Sequence, residues 1–218
     1  MNYNVDFVMC IDATGSMKPF MSEVKAYVLS FYRKFFEYME YRGDSVDQLR
    51  TKVIAFRDYG CDSEPMVESK FFTLDDESTE FHDFVSRIEA KGGRAGGQNA
   101  LEALALAMKS DWVRTGTKRR HVIMLWTDAP ALDLGARASS PSYPSDMPAD
   151  MAELQDWWEG PEMDSLAKEK RLLLFAPDVW PWSDMLDWQC IYYFASPLGK
   201  GYSDCDIEAC IHMIVEGL

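Results

Sequence analysis

Basic charge is scarce in this sequence: 22 Lys and Arg stand against 36 Asp and Glu, a formal charge of -14 over 218 residues. Binding to a phosphate backbone draws on clustered Lys and Arg that release counterions, so this balance argues against a nucleic-acid partner. The one basic knot, Lys118-Arg119-Arg120, precedes an apolar run and is read as a solvated strand entry. Long apolar runs are lacking as well. No window approaches eighteen uninterrupted apolar residues, and the N-terminus has no basic region leading into an apolar core, so neither a membrane span nor a secretion signal is expected. The five cysteines, Cys10, Cys61, Cys190, Cys205 and Cys210, include no C-x-x-C pair. Reduced thiols in the cytoplasm fit that pattern better than a disulfide framework. Cys205, Cys210 and His212 lie close enough to raise a zinc site, but their spacing spreads them around a helix, where cysteine reads as a small buried hydrophobe.

What is present is apolar content, 47% of residues, enough for one well-buried domain over residues 1–218. Val5 to Ile11 is nearly all apolar, as in a strand covered on both faces of a parallel sheet. Met17, Phe20, Val24, Val28, Phe31, Phe35 and Met39 then recur at spacings of three and four, which predicts a long helix with Pro19 in its first turn, ending near Gly43. Further strands are expected at Leu49–Phe56, Glu68–Leu74, His121–Thr127, Leu172–Ala176 and Cys190–Phe194. Helices are expected at Glu77–Ala90, Ala100–Trp112, Ala149–Trp158, Met163–Lys170 and Ser203–Glu216, with a short one through Trp180–Trp188. Strands alternating with helices make an α/β fold, a doubly wound, mostly parallel six-stranded sheet with helices on both faces. Leu132–Pro148, rich in Ser and Pro, reads as a surface loop. The tryptophans Trp157, Trp158, Trp180, Trp182 and Trp188 read as core, or as a contact surface where exposed.

Chemistry concentrates at strand ends. Asp12-Ala13-Thr14-Gly15-Ser16-Met17 follows the first strand and places a carboxylate and two hydroxyls at alternate positions of a turn, small hard oxygens that suit a divalent cation such as Mg2+. A helix-capping turn would use the same residues. Asp128 ends the strand His121–Thr127, and open α/β sheets place ligands at such carboxyl ends. Gly92-Gly93-Arg94-Ala95-Gly96-Gly97-Gln98-Asn99 is a glycine-dense loop that frees the backbone for positive φ and close approach.

These residues carry a resemblance. Asp12-x-Thr14-x-Ser16 after a buried first strand resembles the D-x-[ST]-x-S motif of von Willebrand factor A domains, and Asp128 resembles the third-loop Asp of their metal-ion-dependent adhesion site. The glycine loop is similar to the second loop of a glycine-rich subgroup, in which the turn Arg57-Asp58-Tyr59 is common. Gly199-Lys200-Gly201-Tyr202-Ser203-Asp204 before the last helix resembles bacterial stand-alone members linked to tellurium resistance and stress. The resemblance implies Thr14 and Ser16 as direct ligands of Mg2+, or of Mn2+ or Ca2+, with Asp12 and Asp128 binding directly or through water. A second-loop Thr completes the set in the family, whereas Gly96 or Gly97 stands at that point here, leaving the vertex to a water or to Asp58. It further implies a protein partner whose Glu or Asp takes the last vertex, a non-catalytic adaptor or scaffold role, and partners encoded nearby such as a protein kinase and a phosphatase.

Two other readings are available. A Mg2+-dependent phosphohydrolase would use Asp12 as nucleophile. Against it, position 14 is Thr rather than the second Asp of the haloacid-dehalogenase type, and His82, His121 and His212 fall in predicted helices or strands away from the loops. A nucleotide-binding module would use the glycine loop, which lacks the Lys of a P-loop and a G-x-G-x-x-G after the first strand.

Overall fold

The computed structural model describes residues 2–94, 96–160, 169–196 and 207–215. Strand β1 (Asn2–Asp12) is central, with β2 (Ser45–Phe56) parallel on one side and β5 (Lys118–Trp126) parallel on the other. Beyond β5 lie β6 (Lys170–Pro177) and β7 (Ile191–Ser196), both parallel. Two short strands, β3 (Met66–Glu68) and β4 (Phe72–Thr73), pair antiparallel with β2. The sheet order is thus β3-β2-β1-β5-β6-β7, with β4 also on β2.

Alternation along β1 explains its two-sided burial. Val5, Phe7, Met9 and Ile11 enter one core, and Val8 and Cys10 enter the other, since successive side chains of a strand point to opposite faces. The first core is closed by α1 (Met21–Tyr41), α2 (Leu74–Arg87) and α5 (Ile207–Val215). Phe7 meets Phe31 and Phe35 of α1 edge to face, at centroid distances of 5.2 and 5.3 Å. Such pairs add about 0.5–1.5 kcal/mol to plain area burial. The second core is closed by α3 (Ala100–Met108), α4 (Met151–Glu159) and a 3-10 turn, Trp182–Asp187.

The α/β architecture with a mostly parallel sheet is as the sequence implies, with differences in detail. The stretch expected as one third strand is two. At Ser69 the side-chain hydroxyl, in place of a backbone carbonyl, takes the Val53 N–H at 2.9 Å, interrupting the ladder and raising the strand number from six to seven. Pro19 precedes α1, because a 3-10 turn over Gly15–Met17 comes first. Helix α3 stops at Met108, short of Trp112, and is buried on nearly all sides, its alanines letting it nest between sheet and surrounding loops. Arg120 is buried, not solvated: its guanidinium donates to the carbonyl of Ile214 in α5, and burial beside Arg171 pushes its pKa down to about 10. Trp158, Trp182 and Trp188 are core, whereas Trp180 is exposed. Cys210 packs in the first core. Residues 163–168, Cys205 and the 199–204 stretch lie outside the described residues, as does the start of the last helix. No helix of the described chain is long and apolar enough to cross a membrane.

Candidate functional site

At β1 the chain turns from one side of the sheet to the other, since β2 and β5 flank it, and the carboxyl ends of β1 and β5 therefore open on a shared crevice. Asp12 is the last residue of β1 and is fully buried. Its Oδ1 accepts from the backbone N–H of Thr14 at 2.9 Å and from the Thr14 hydroxyl at 2.7 Å. Its Oδ2 accepts from the Gln98 amide at 2.8 Å and the Thr127 hydroxyl at 2.7 Å. Burial pushes the Asp12 carboxyl above its ordinary range, against the bonds from Thr14, Gln98 and Thr127 that favour the carboxylate.

Outward from Asp12, Thr14 Oγ1 lies 3.1 Å from Ser16 Oγ, and the Ser16 hydroxyl donates to Asp128 Oδ1 at 2.9 Å. Asp12, Thr14, Ser16 and Asp128 therefore form one continuous cluster, with Asp12 at its floor and Ser16 exposed at its mouth. The cluster opens into a cavity of about 430 Å3 lined by Thr14, Ser16, Gln98, Ala129, Pro130 and the glycine loop. Among the described residues that line it, Arg94 is the one that carries charge.

The glycines bring three loops to van der Waals contact. Gly93, at φ +75°, sits where a Cβ would come within 2.7 Å of Thr14 Cγ2. Gly97, at φ +118°, sits where a Cβ would come within 2.9 Å of the Pro130 carbonyl oxygen. The second loop is thus pressed against both the first and the third. Arg57 ties the assembly from beneath, donating to the carbonyls of Ala13 at 3.0 Å, Glu64 at 2.8 Å and Glu89 at 2.9 Å. Trp182 holds the third loop through its indole N–H on the Ala129 carbonyl at 2.9 Å.

Asp58 is not brought to the cluster. Its buried carboxylate pairs with Arg137, Oδ1 with Nε at 2.7 Å and Oδ2 with Nη2 at 3.2 Å, and Oδ1 also accepts from Gly60 N at 2.7 Å. Burial alone would raise the Asp58 carboxyl, and the Arg137 and Gly60 bonds outweigh it, leaving it lowered. Gly96 lines the cavity with nothing within 4 Å of a Cβ built on it, and offers no side chain. The second-loop group that does reach the cluster is Gln98, with Thr127 from just after β5. Both were missed in sequence. Gln98 had one signal, as the first side chain able to hydrogen-bond after the last glycine, and Thr127 had another, as the last residue before Asp128.

No family model matches the chain, and no curated protein does either. Solved structures do. A von Willebrand factor type A protein from Catenulispora acidiphila superposes at TM-score 0.54 with 16% identity, over 99% of this chain and 41% of its own. The pilus adhesin SpaC from Lactobacillus rhamnosus GG, in its open conformation, superposes at TM-score 0.53 with 11% identity, over 96% of this chain and 29% of its own. The chain has a von Willebrand factor A-type fold. It spans less than half the length of either of these two structures. The loop from Asp12 to Ser16, the glycine loop with Gln98 and the loop of Asp128 thus meet at one crevice.

Proposed function

We propose that this von Willebrand factor A-type chain is a non-catalytic protein-interaction module whose partner is recruited through a divalent cation. The observation that carries the reading is the spacing of the cluster's oxygens above Asp12. Thr14 Oγ1 and Ser16 Oγ are 3.1 Å apart, and Ser16 Oγ and Asp128 Oδ1 are 2.9 Å apart. Adjacent ligands of an octahedral Mg2+ with 2.0–2.1 Å bonds are separated by about 2.9 Å, so the donor set fits a small hard cation. Each hydroxyl proton has a carboxylate to donate to, Asp12 for Thr14 and Asp128 for Ser16, which leaves hydroxyl lone pairs for a metal. Thr14, Ser16 and Asp128 would hold the ion, and Asp12 would orient Thr14 from below. A cation held by so few anionic ligands stays electrophilic and attracts a carboxylate from outside.

A partner's Glu or Asp suits this cavity. The protein's net charge of -14 repels acidic partners at long range, and Arg94 puts a positive charge at the one place where such a group would dock. The pilus adhesin among the structural matches is a binding protein in name, which accords with an interaction role. A cytoplasmic adaptor or scaffold in a bacterial stress or signalling system, with a kinase or phosphatase as partner, is the finer form of this proposal. Asp12 supports ligand orientation over nucleophilic attack, because each of its oxygens already accepts two hydrogen bonds.

The test is retention of a binding partner by tagged protein in Mg2+. Retention is expected to vanish in excess chelator and in Ser16→Ala, whose circular dichroism and melting should match wild type because Ser16 is exposed. Equal retention in chelator refutes the metal dependence.

A further inference from the structure

Gln98 closes the oxygen cluster from the second loop. Its side chain is buried, its backbone carbonyl accepts from Leu132 N at 2.9 Å, and it bridges to Ala131. Gly97 beside it is wedged against Pro130. The backbone of Gln98 is therefore fixed between the second and third loops, and what freedom remains belongs to its side-chain torsions. Its amide NH2 donates to Asp12 Oδ2 at 2.8 Å and to Thr14 Oγ1 at 3.2 Å. The other half of a primary amide is a carbonyl oxygen, a neutral hard ligand that divalent cations accept. Half a turn about the last torsion exchanges the two, and that torsion is broad and roughly two-fold rather than locked.

We propose that Gln98 is a reversible stopper of the site: without a cation its NH2 ties Asp12 to Thr14, and a divalent cation turns the amide so that Oε1 becomes the second-loop ligand. The inference rests on the reading of the cluster as a cation site and supplies the vertex that the glycines leave open. A cation beside Thr14 Oγ1 repels the positive N–H end of the amide dipole and attracts the carbonyl end, so the charge itself drives the turn. On turning, Asp12 Oδ2 loses the amide and keeps the Thr127 hydroxyl, while Oδ1 keeps both Thr14 donors. Cation affinity is then set by a competition between two hydrogen bonds and one neutral oxygen ligand. Replacing Gln98 by Glu, of the same shape, removes the donor and adds charge. Leu, of similar bulk, removes donor and ligand together.

The experiment is a titration of the full chain with Mg2+ alone, and separately Mn2+ alone, by calorimetry. Alongside it, the Gln98 side-chain amide resonances are followed in 15N-labelled protein with Mg2+, assigned by their loss in Gln98→Leu. Expected are displacement of the Gln98 amide pair on cation addition, at least tenfold tighter binding by Gln98→Glu, at least tenfold weaker binding by Gln98→Leu, and no binding by Ser16→Ala. If wild type binds while the Gln98 amide pair stays still and Gln98→Leu binds within twofold of it, the stopper is overturned and the cation site stands. If wild type binds no cation but Gln98→Ala does, Gln98 is a permanent plug and its reversible role is overturned. Absence of cation binding in wild type and every Gln98 variant overturns this inference together with the site reading.

Discussion

Two substitutions at Asp12 separate the support it gives to the fold from any charge it offers a ligand. In Asp12→Ala the four donors that converge on the carboxylate lose their acceptor. The Thr14 hydroxyl can turn to Ser16, 3.1 Å away, and the Thr127 hydroxyl can turn to the Ala129 carbonyl at 3.4 Å. The Thr14 backbone N–H has no such substitute among the described residues, and the Gln98 amide keeps Thr14 Oγ1 at 3.2 Å but loses the acceptor of its other N–H. A buried group left unsatisfied costs about 1–3 kcal/mol, so the two together cost about 2–6 kcal/mol, before relief of the burial that strains the carboxylate. In a chain of this length 1 kcal/mol moves the melting point by about 2–4 °C, so a fall of roughly 4 to 24 °C is expected. Asp12→Asn keeps an oxygen for both Thr14 donors. Its NH2 meets the Gln98 amide, which turns to present Oε1, and the Thr127 hydroxyl accepts. The remaining loss is of charge assistance, about 1 kcal/mol, or roughly 2 to 4 °C. Thermal denaturation by circular dichroism decides. If Asp12→Ala melts within 2 °C of Asp12→Asn, the carboxylate is not the floor of the loop cluster. Asn is accordingly the substitution with which to ask about metal and partner binding, because Ala confounds binding with folding.

Arg137→Leu strands the buried Asp58 carboxylate, which then keeps the Gly60 N–H but neither guanidinium donor. Breaking such a pair costs about 2–4 kcal/mol here, toward the low end because the Arg137 side chain is partly exposed. Asp58 is depressed in the folded state, so the pair's contribution is complete above the unfolded pKa near 4 and is lost as pH falls through the folded value. Urea melts of wild type and Arg137→Leu should therefore differ at pH 7 and converge well below pH 4; a gap that is unchanged at low pH counts against the pair. Gly97→Ala, at φ +118° and against the Pro130 carbonyl, should lose about 1–3 kcal/mol in the same melts. Gly96→Ala, with open space at its Cβ, should lose less. Equal losses at the two positions would show that the close approach to the third loop is not what requires glycine.

Elements with strong periodicity were legible in the sequence. The stripe from Val24 to Met39 is buried in α1 as its spacing implies, and the apolar runs of β1 and β5 sit at the centre of the sheet. What escaped was set by partners distant in sequence. Asp6 interrupts the apolar run of β1 and is nonetheless fully buried, because Arg50 grips it through two hydrogen bonds at 2.8 and 2.6 Å and Val113 N adds a third. Arg120 reads as surface charge until α5 supplies a carbonyl to it. At the site, Asp12, Thr14, Ser16 and Asp128 were legible because a motif of fixed spacing and a strand end point to them. Gln98 was not, since a run of glycines has no side-chain periodicity and gives no register for which residue turns inward.

Arg57 carries a consequence for rates. Its guanidinium grips three carbonyls from separate segments, so the floor of the crevice is assembled before anything arrives. A guest then waits on no loop to fold. Arrival should be fast and nearly insensitive to substitutions in the crevice that leave its charge unchanged, whereas departure should slow or quicken with every ligand or hydrogen bond that a substitution adds or removes. Residence time, measured by rapid mixing with chelator, is therefore the quantity in which variants of this crevice will differ.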